Sequence, residues 1–138
     1  LGMTRYQVVT LASMIEKETG AAAERAIISS VFHNRLKKRM RLQSDPTTIY
    51  GMWDHYDGVI HKVDLLTPTE YNTYTVPSLP AGPISNPGGD AIRAALYPEI
   101  TEYLYFVSRN DHTHMFSKNY DDHRAGVTKF QIKQKTRK

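Results

Sequence analysis

The chain has 138 residues, 40% hydrophobic and 23% charged, which suits one domain with a real core and excludes wholesale disorder. It has no cysteine, which excludes disulfides, cysteine nucleophiles and thiolate metal sites, and no run approaches the roughly 18 apolar residues of a membrane helix or resembles a signal peptide. The net charge of +4 favours polyanions, but much of the excess lies in Arg35–Arg41 and the tail Lys129–Lys138, where helix-end and tail charge is the plainer reading.

In chain order, Val8, Leu11, Ala12, Met14 and Ile15 fall on one face of a helix expected over Thr4–Thr19, with Gly20 as its stop. A second helix is expected over Ala22–Lys38, with Ile27, Ile28, Val31, Phe32 and Leu36 on its apolar side. Its cationic end, Arg35 to Arg39, complements the helix dipole. Asp45-Pro46 reads as a turn that breaks helix, followed by one helical turn over Thr48–Met52. Tyr56-Asp57-Gly58 is a loop, and Thr67-Pro68-Thr69-Glu70 has the residues of a helix start. From Pro77 to Gly89, four prolines and three glycines in thirteen residues make a stiff, shaped loop. A short helix is expected over Asp90–Leu96, then a strand over Tyr103–Val107. A turn at Arg109-Asn110-Asp111 and a second strand over His112–Phe116 would complete a hairpin. Asp121-Asp122 open a last helix, with Val127 and Phe130 inward and a frayed basic end. The expected fold class is α+β: one helix-rich domain over residues 1–138, with a small late β-hairpin and long structured loops. The abrupt start at Leu1-Gly2-Met3 reads as a domain excised from a longer protein.

Glu18 stands out on geometry alone. It follows Leu11 by seven residues, Met14 by four and Ile15 by three, so it shares their apolar face. At roughly 100° per residue, Glu16 and Lys17 project away from that face. Desolvation and the negative end of the helix dipole both raise the pKa of a carboxyl placed there, as a general acid requires. A boundary glutamate bonded to an amide or an arginine would occupy the same position.

Other residues could complete a carbohydrate site. Trp53, Tyr71, Tyr74, Tyr103 and Tyr105 carry rings able to stack on sugar faces, or equally to pack in the core or on the surface. Gln43, Asn72 and Asn86 can orient hydroxyl and acetamido groups, or bond within their own loops. Asp45 is either a second carboxylate or a turn residue before proline. His112, His114 and His123, with Asp121 and Asp122 nearby, invite a metal reading, but no His-Glu-x-x-His helix supports it and no metal or cofactor is expected. There is no phosphate-binding glycine loop and no Gly-x-Ser-x-Gly elbow. The basic residues lack an aromatic–basic strand pattern, so nucleic acid is not expected as a partner.

Several segments together resemble one family. Leu11-Ala12-Ser13-Met14-Ile15-Glu16-Lys17-Glu18-Thr19, Val31-Phe32-His33-Asn34-Arg35-Leu36 and Met40-Arg41-Leu42-Gln43-Ser44-Asp45-Pro46-Thr47 come first. Tyr71-Asn72-Thr73-Tyr74, Leu79 through Gly88, and Tyr103-Leu104-Tyr105-Phe106-Val107 follow, then His114 with Phe116, and His123. In this order they resemble the endolytic murein transglycosylases (MltG/YceG-like), over nearly the whole chain.

The resemblance places the family's catalytic glutamate on Glu18, in a lysozyme-like active-site arrangement. Around it, as substrate-binding residues, it sets Gln43, Asp45, Tyr71, Asn72, Tyr74, Asn86, Tyr105 and His114. It implies cleavage of the β-1,4 bond between N-acetylmuramic acid and N-acetylglucosamine in peptidoglycan strands, leaving 1,6-anhydro ends. A hydrolytic muramidase and a non-catalytic glycan-binding module are the alternatives. It further implies a membrane-anchored parent acting outside the cytoplasmic membrane, beside the penicillin-binding proteins of the peptidoglycan synthesis machinery.

Overall fold

A computed structural model of the chain describes residues 2–132. Six helices and one hairpin follow in order: α1 (Arg5–Glu18), α2 (Arg25–Lys37), α3 (Asp45–Gly51), α4 (Lys62–Leu66), α5 (Gly89–Leu96), β1 (Tyr105–Ser108), β2 (His114–Ser117) and α6 (Tyr120–Val127). Short 3₁₀ turns occupy Ala22–Glu24 and Trp53–His55, and a π turn, Thr128–Ile132, continues α6. The α+β class expected from sequence is the one observed.

α1 is the axis of the domain. Thr4 and Gln7 cap it reciprocally, each side chain accepting from the other's backbone N–H. Its buried face carries Val8, Leu11, Ala12, Met14 and Ile15, the residues that the 3.6-residue period selects. α5 packs on it through Ala91, Ala94 and Ala95, whose small side chains let the two backbones approach. α2 adds Ile28 and Phe32 to the same core and is tied to α5 by polar contacts: Ser29 Oγ donates to Ala94 O at 2.7 Å and His33 Nε2 lies 2.8 Å from Ala95 O.

The antiparallel hairpin pairs Tyr105 with Ser117 and Ser108 with His114. Its first strand starts two residues later than the aromatic run implies. His112 sits in the connecting turn with φ 74°, so it does not share a strand face with His114. α6 rests on the hairpin at Gly126, where a Cβ would come 2.7 Å from Met115 Sδ. The expected basic end beyond the π turn lies outside the described residues.

Two expectations fail locally. Asp45-Pro46 does not stop a helix but starts α3, because proline's missing N–H costs nothing in a first turn. The Thr67-Pro68-Thr69-Glu70 signal starts no helix. Thr67 instead ends α4, and Thr69 Oγ1 accepts from the N–H groups of Tyr71 and Asn72 to close a single turn. Competing bonds prevent propagation: the Asn72 amide donates to the carbonyls of Asp64, Leu65 and Thr67, and the Thr73 carbonyl accepts from Gln43 N–H.

Candidate active site

Glu18 is the last residue of α1 and lies half-buried at the wall of a cleft of about 460 Å³. Its Oε2 accepts a 3.1 Å hydrogen bond from Ser44 Oγ. Burial pushes its pKa up to about 7; the Asp45 charge adds to the rise and the Ser44 bond opposes it. The geometric expectation for this residue, a costly carboxylate on an apolar helix face, therefore corresponds to its surroundings.

Ser44 is held by a small buried network. Its backbone N–H donates to Thr73 Oγ1 at 2.8 Å, and its carbonyl accepts from Thr47 Oγ1 at 2.6 Å. Thr47 and Thr73 are themselves joined at 2.8 Å, and all three residues are buried. The loop before α3 is thereby pinned to the 71–76 turn, and Ser44 is presented to Glu18.

Asp45 begins α3 and is exposed on the cleft wall. Its Oδ1 accepts a 2.6 Å bond from the Tyr74 hydroxyl, whose own pKa is pushed far up, first by burial and then by this bond. Gln43, with φ 51°, and His114, at the start of β2, line the same cleft. The end of α1 reaches the hairpin turn because residue 20 is glycine: a Cβ there would fall 2.5 Å from the His112 carbonyl oxygen.

The structure thus brings Glu18, Gln43, Asp45, Tyr74 and His114 to one cleft. It leaves the remaining predicted site residues off its wall. Tyr105 is not on the wall, but its ring is stacked by His123 at 4.9 Å and faced by the Arg35 guanidinium 4.9 Å from its centroid, and both of these partners are on the wall. Tyr71 packs edge-on against Tyr50 at 4.6 Å. Asn86 is exposed in the proline-rich loop, which is fastened along α1 by Ile84 N–H to Ser13 Oγ and Gly88 N–H to Glu16 Oε1.

Asn72 needs a larger correction. It is wholly buried, and its side chain is consumed by Thr48 Oγ1 and Tyr74 N–H at Oδ1 and by three carbonyls at Nδ2. An asparagine amide with all its capacity engaged inside the fold cannot also orient a sugar.

Sequence reasoning missed Glu24 and Ser44. Ser44 lay inside a quoted motif without a role. Glu24 bonds a residue 90 positions away, which no local pattern could signal. Among the described residues no three histidine, aspartate or glutamate side chains gather as a metal site. His114 is engaged by Glu24 and His123 is stacked on Tyr105.

Beyond Glu18 the surface continues as grooves. One shallow depression is shared by Lys17, Glu18, His112 and His114, and an apolar groove of about 380 Å³ runs from Lys17 and Pro46 to Tyr50 and Trp53.

A family model described as the YceG-like family matches residues 1–129. The chain is 42% identical over 125 residues to a protein of Bacillus subtilis (strain 168) named endolytic murein transglycosylase, covering 91% of this chain and 34% of that one. It is 30% identical over 130 residues to a Streptococcus pneumoniae serotype 2 protein (strain D39 / NCTC 7466) of the same name, covering 91% and 24%. A crystal structure of a putative yceG-like protein from Listeria monocytogenes superposes with TM-score 0.83 at 43% identity, over 89% of this chain and 40% of that chain. The chain thus spans about a third or less of the length of these curated relatives.

Proposed function

The chain belongs to the YceG-like family, and from that membership and the Glu18 cleft we propose that residues 1–138 are the catalytic domain of an endolytic peptidoglycan lytic transglycosylase. The observation that carries this reading is the carboxyl of Glu18, raised to about 7 by burial at a cleft wall. Such a group is present in both protonation states near neutral pH and can serve first as acid, then as base.

In the proposed reaction Glu18 protonates the glycosidic oxygen as the bond from muramic C1 to that oxygen breaks. The muramic C6 hydroxyl then attacks C1, and its proton passes to the Glu18 carboxylate, which restores the acid. The product carries a 1,6-anhydro ring. The nucleophile is tethered to the reacting sugar, so no water need be bound and no second catalytic carboxylate is required. Asp45 and Gln43 line the same cleft and would offer the oxocarbenium-like state electrostatic and hydrogen-bonding support. The grooves that continue past Glu18 suit a polymer that extends beyond the scissile bond.

Asp45 favours a second reading. A carboxylate beside Glu18, steadied by Tyr74, could instead direct water, making the domain a hydrolytic muramidase. Digestion of purified glycan strands followed by mass spectrometry separates the two. Anhydro ends, lighter by one water, support the transglycosylase; reducing ends overturn it in favour of hydrolysis; intact strands overturn both. The proposed setting is the outer face of the cytoplasmic membrane, within an anchored parent protein that works beside the penicillin-binding proteins.

A further inference from the structure

Glu24 ends the 3₁₀ turn before α2 and occupies that helix's N-cap position, yet its side chain caps nothing. It reaches instead to β2. Its Oε1 lies 2.9 Å from His114 Nδ1, and its Oε2 accepts the His114 backbone N–H at 3.2 Å. The contact is largely shielded from water, with the side chain of His114 9% exposed and that of Glu24 16%. Phe106 stands perpendicular to the imidazole at 5.3 Å and Phe116 lies 6.1 Å away, so the ring has two aromatic neighbours as well as a partner at Nδ1.

This arrangement assigns the ring's two nitrogens different tasks. A carboxylate can only accept, so Nδ1 must carry the proton. Nε2 is then an acceptor when the ring is neutral, and it has no hydrogen-bond partner among the described residues. His114 lines both the main cleft and the adjoining depression, and it shares that position with Glu18 and Ser108. Desolvating a carboxylate is costly. A histidine needed only for packing would not require one to set its tautomer and rotation.

We propose that His114 is a substrate-contacting residue whose Nε2 accepts a hydrogen bond from a hydroxyl or acetamido N–H of the sugar seated beside Glu18, and that Glu24 is the positioning residue that holds it so. The inference rests on the glycan reading above and adds to it a recognition contact and a residue that acts through another.

The probe is a β-1,4-linked tetrasaccharide of alternating N-acetylglucosamine and N-acetylmuramic acid, titrated into the Glu18→Gln chain while the imidazole nitrogens of His114 are followed by NMR. The free protein should show the Nδ1–H tautomer, and Nε2 should shift as the sugar binds. In parallel, Glu24→Ala should lower kcat/KM on glycan strands about 10- to 100-fold, the range seen when partners that orient metal-bound histidines are removed. In a His114→Ala background Glu24→Ala should cost nothing further, because its effect passes through the imidazole. A purely structural glutamate would lower activity in both backgrounds. Should Glu24→Ala fail to fold, Glu24→Gln, which keeps one acceptor oxygen, carries the same comparison with a smaller loss. If other resonances move on binding while His114 stays still, or if the two losses add, the inference is overturned and the glycan reading stands. If no resonance moves and the parent chain leaves strands intact, both fall.

Discussion

The hydroxyl of Tyr74 donates a 2.6 Å hydrogen bond to Oδ1 of Asp45, across 29 positions of sequence, and so steadies the second carboxylate of the Glu18 cleft. Asp45 is exposed, so without this bond its side chain would sample several rotamers. Tyr74→Phe removes the bond and keeps the ring. Hydrogen bonds to charged groups contribute about 1.5–3 kcal/mol. If Asp45 supports the reacting sugar, kcat/KM on glycan strands should fall about tenfold or more, with little change in melting temperature. Unchanged kinetics would remove Asp45 from the working site.

The neighbours of Glu18 should move its titration in opposite directions. Asp45 raises the Glu18 pKa by charge and Ser44 lowers it by donating a hydrogen bond. Asp45→Asn should therefore shift the alkaline limb of the activity–pH profile downward, and Ser44→Ala should shift it upward. Burial is the largest cause, so neither substitution alone should return Glu18 to its ordinary range. Shifts of the same sign in both variants would contradict this account of the site.

Glu18→Gln should abolish both proton transfers and lower turnover by at least about 10²-fold. Its effect on stability should depend on pH. The folded-state pKa is raised from 4.5 to about 7, so the folded protein holds a proton that the unfolded chain has already lost between those values. Stability from this group is full below about 4.5, falls as pH rises through 7 and is flat above; the change is on the order of 3 kcal/mol at most. The glutamine variant should lack this slope and melt higher than the parent at pH 8. Glu16→Gln is the control: its Oε1 accepts from Gly88 N–H, a bond that glutamine can keep. Thermal melts from pH 4 to 9 on both variants check this, and identical slopes would mean that Glu18 is solvated.

Asn72→Ala should damage the fold rather than the chemistry. It would leave the buried Thr48 hydroxyl, and the half-buried bonding groups of Asp64, Leu65, Thr67 and Tyr74, without their partner, and would empty a fully buried side-chain position. Unsatisfied buried groups cost about 1–3 kcal/mol each, so a loss of at least about 2 kcal/mol is expected in denaturant unfolding. Activity per folded molecule should change much less. A stable variant with lost turnover would return Asn72 to the cleft.

Much of this protein is legible from local pattern. The buried stripe of α1 and the position of Glu18 on it follow from helical period, because neighbours three and four residues apart share a face whatever the rest of the chain does. The hairpin aromatics and the stiff 77–89 loop are local in the same sense. The Thr67-Pro68-Thr69-Glu70 signal was local too, and it lost to two kinds of competing bond: a local one, from the Asn72 side chain to the Thr67 carbonyl, and a long-range one, from Gln43 N–H to the Thr73 carbonyl. The partners within the site are of that second kind. Ser44 meets Glu18 across 26 positions, Tyr74 meets Asp45 across 29 and Glu24 meets His114 across 90. Each pairing exists only after core packing has closed the intervening chain, since a side chain's period states which face it occupies and not what stands opposite. Tertiary structure alone therefore decided that Asn72 lies inside, that Tyr105 packs against Arg35 and His123, and that a carboxylate with no local signal meets His114 at the cleft that Glu18 also lines.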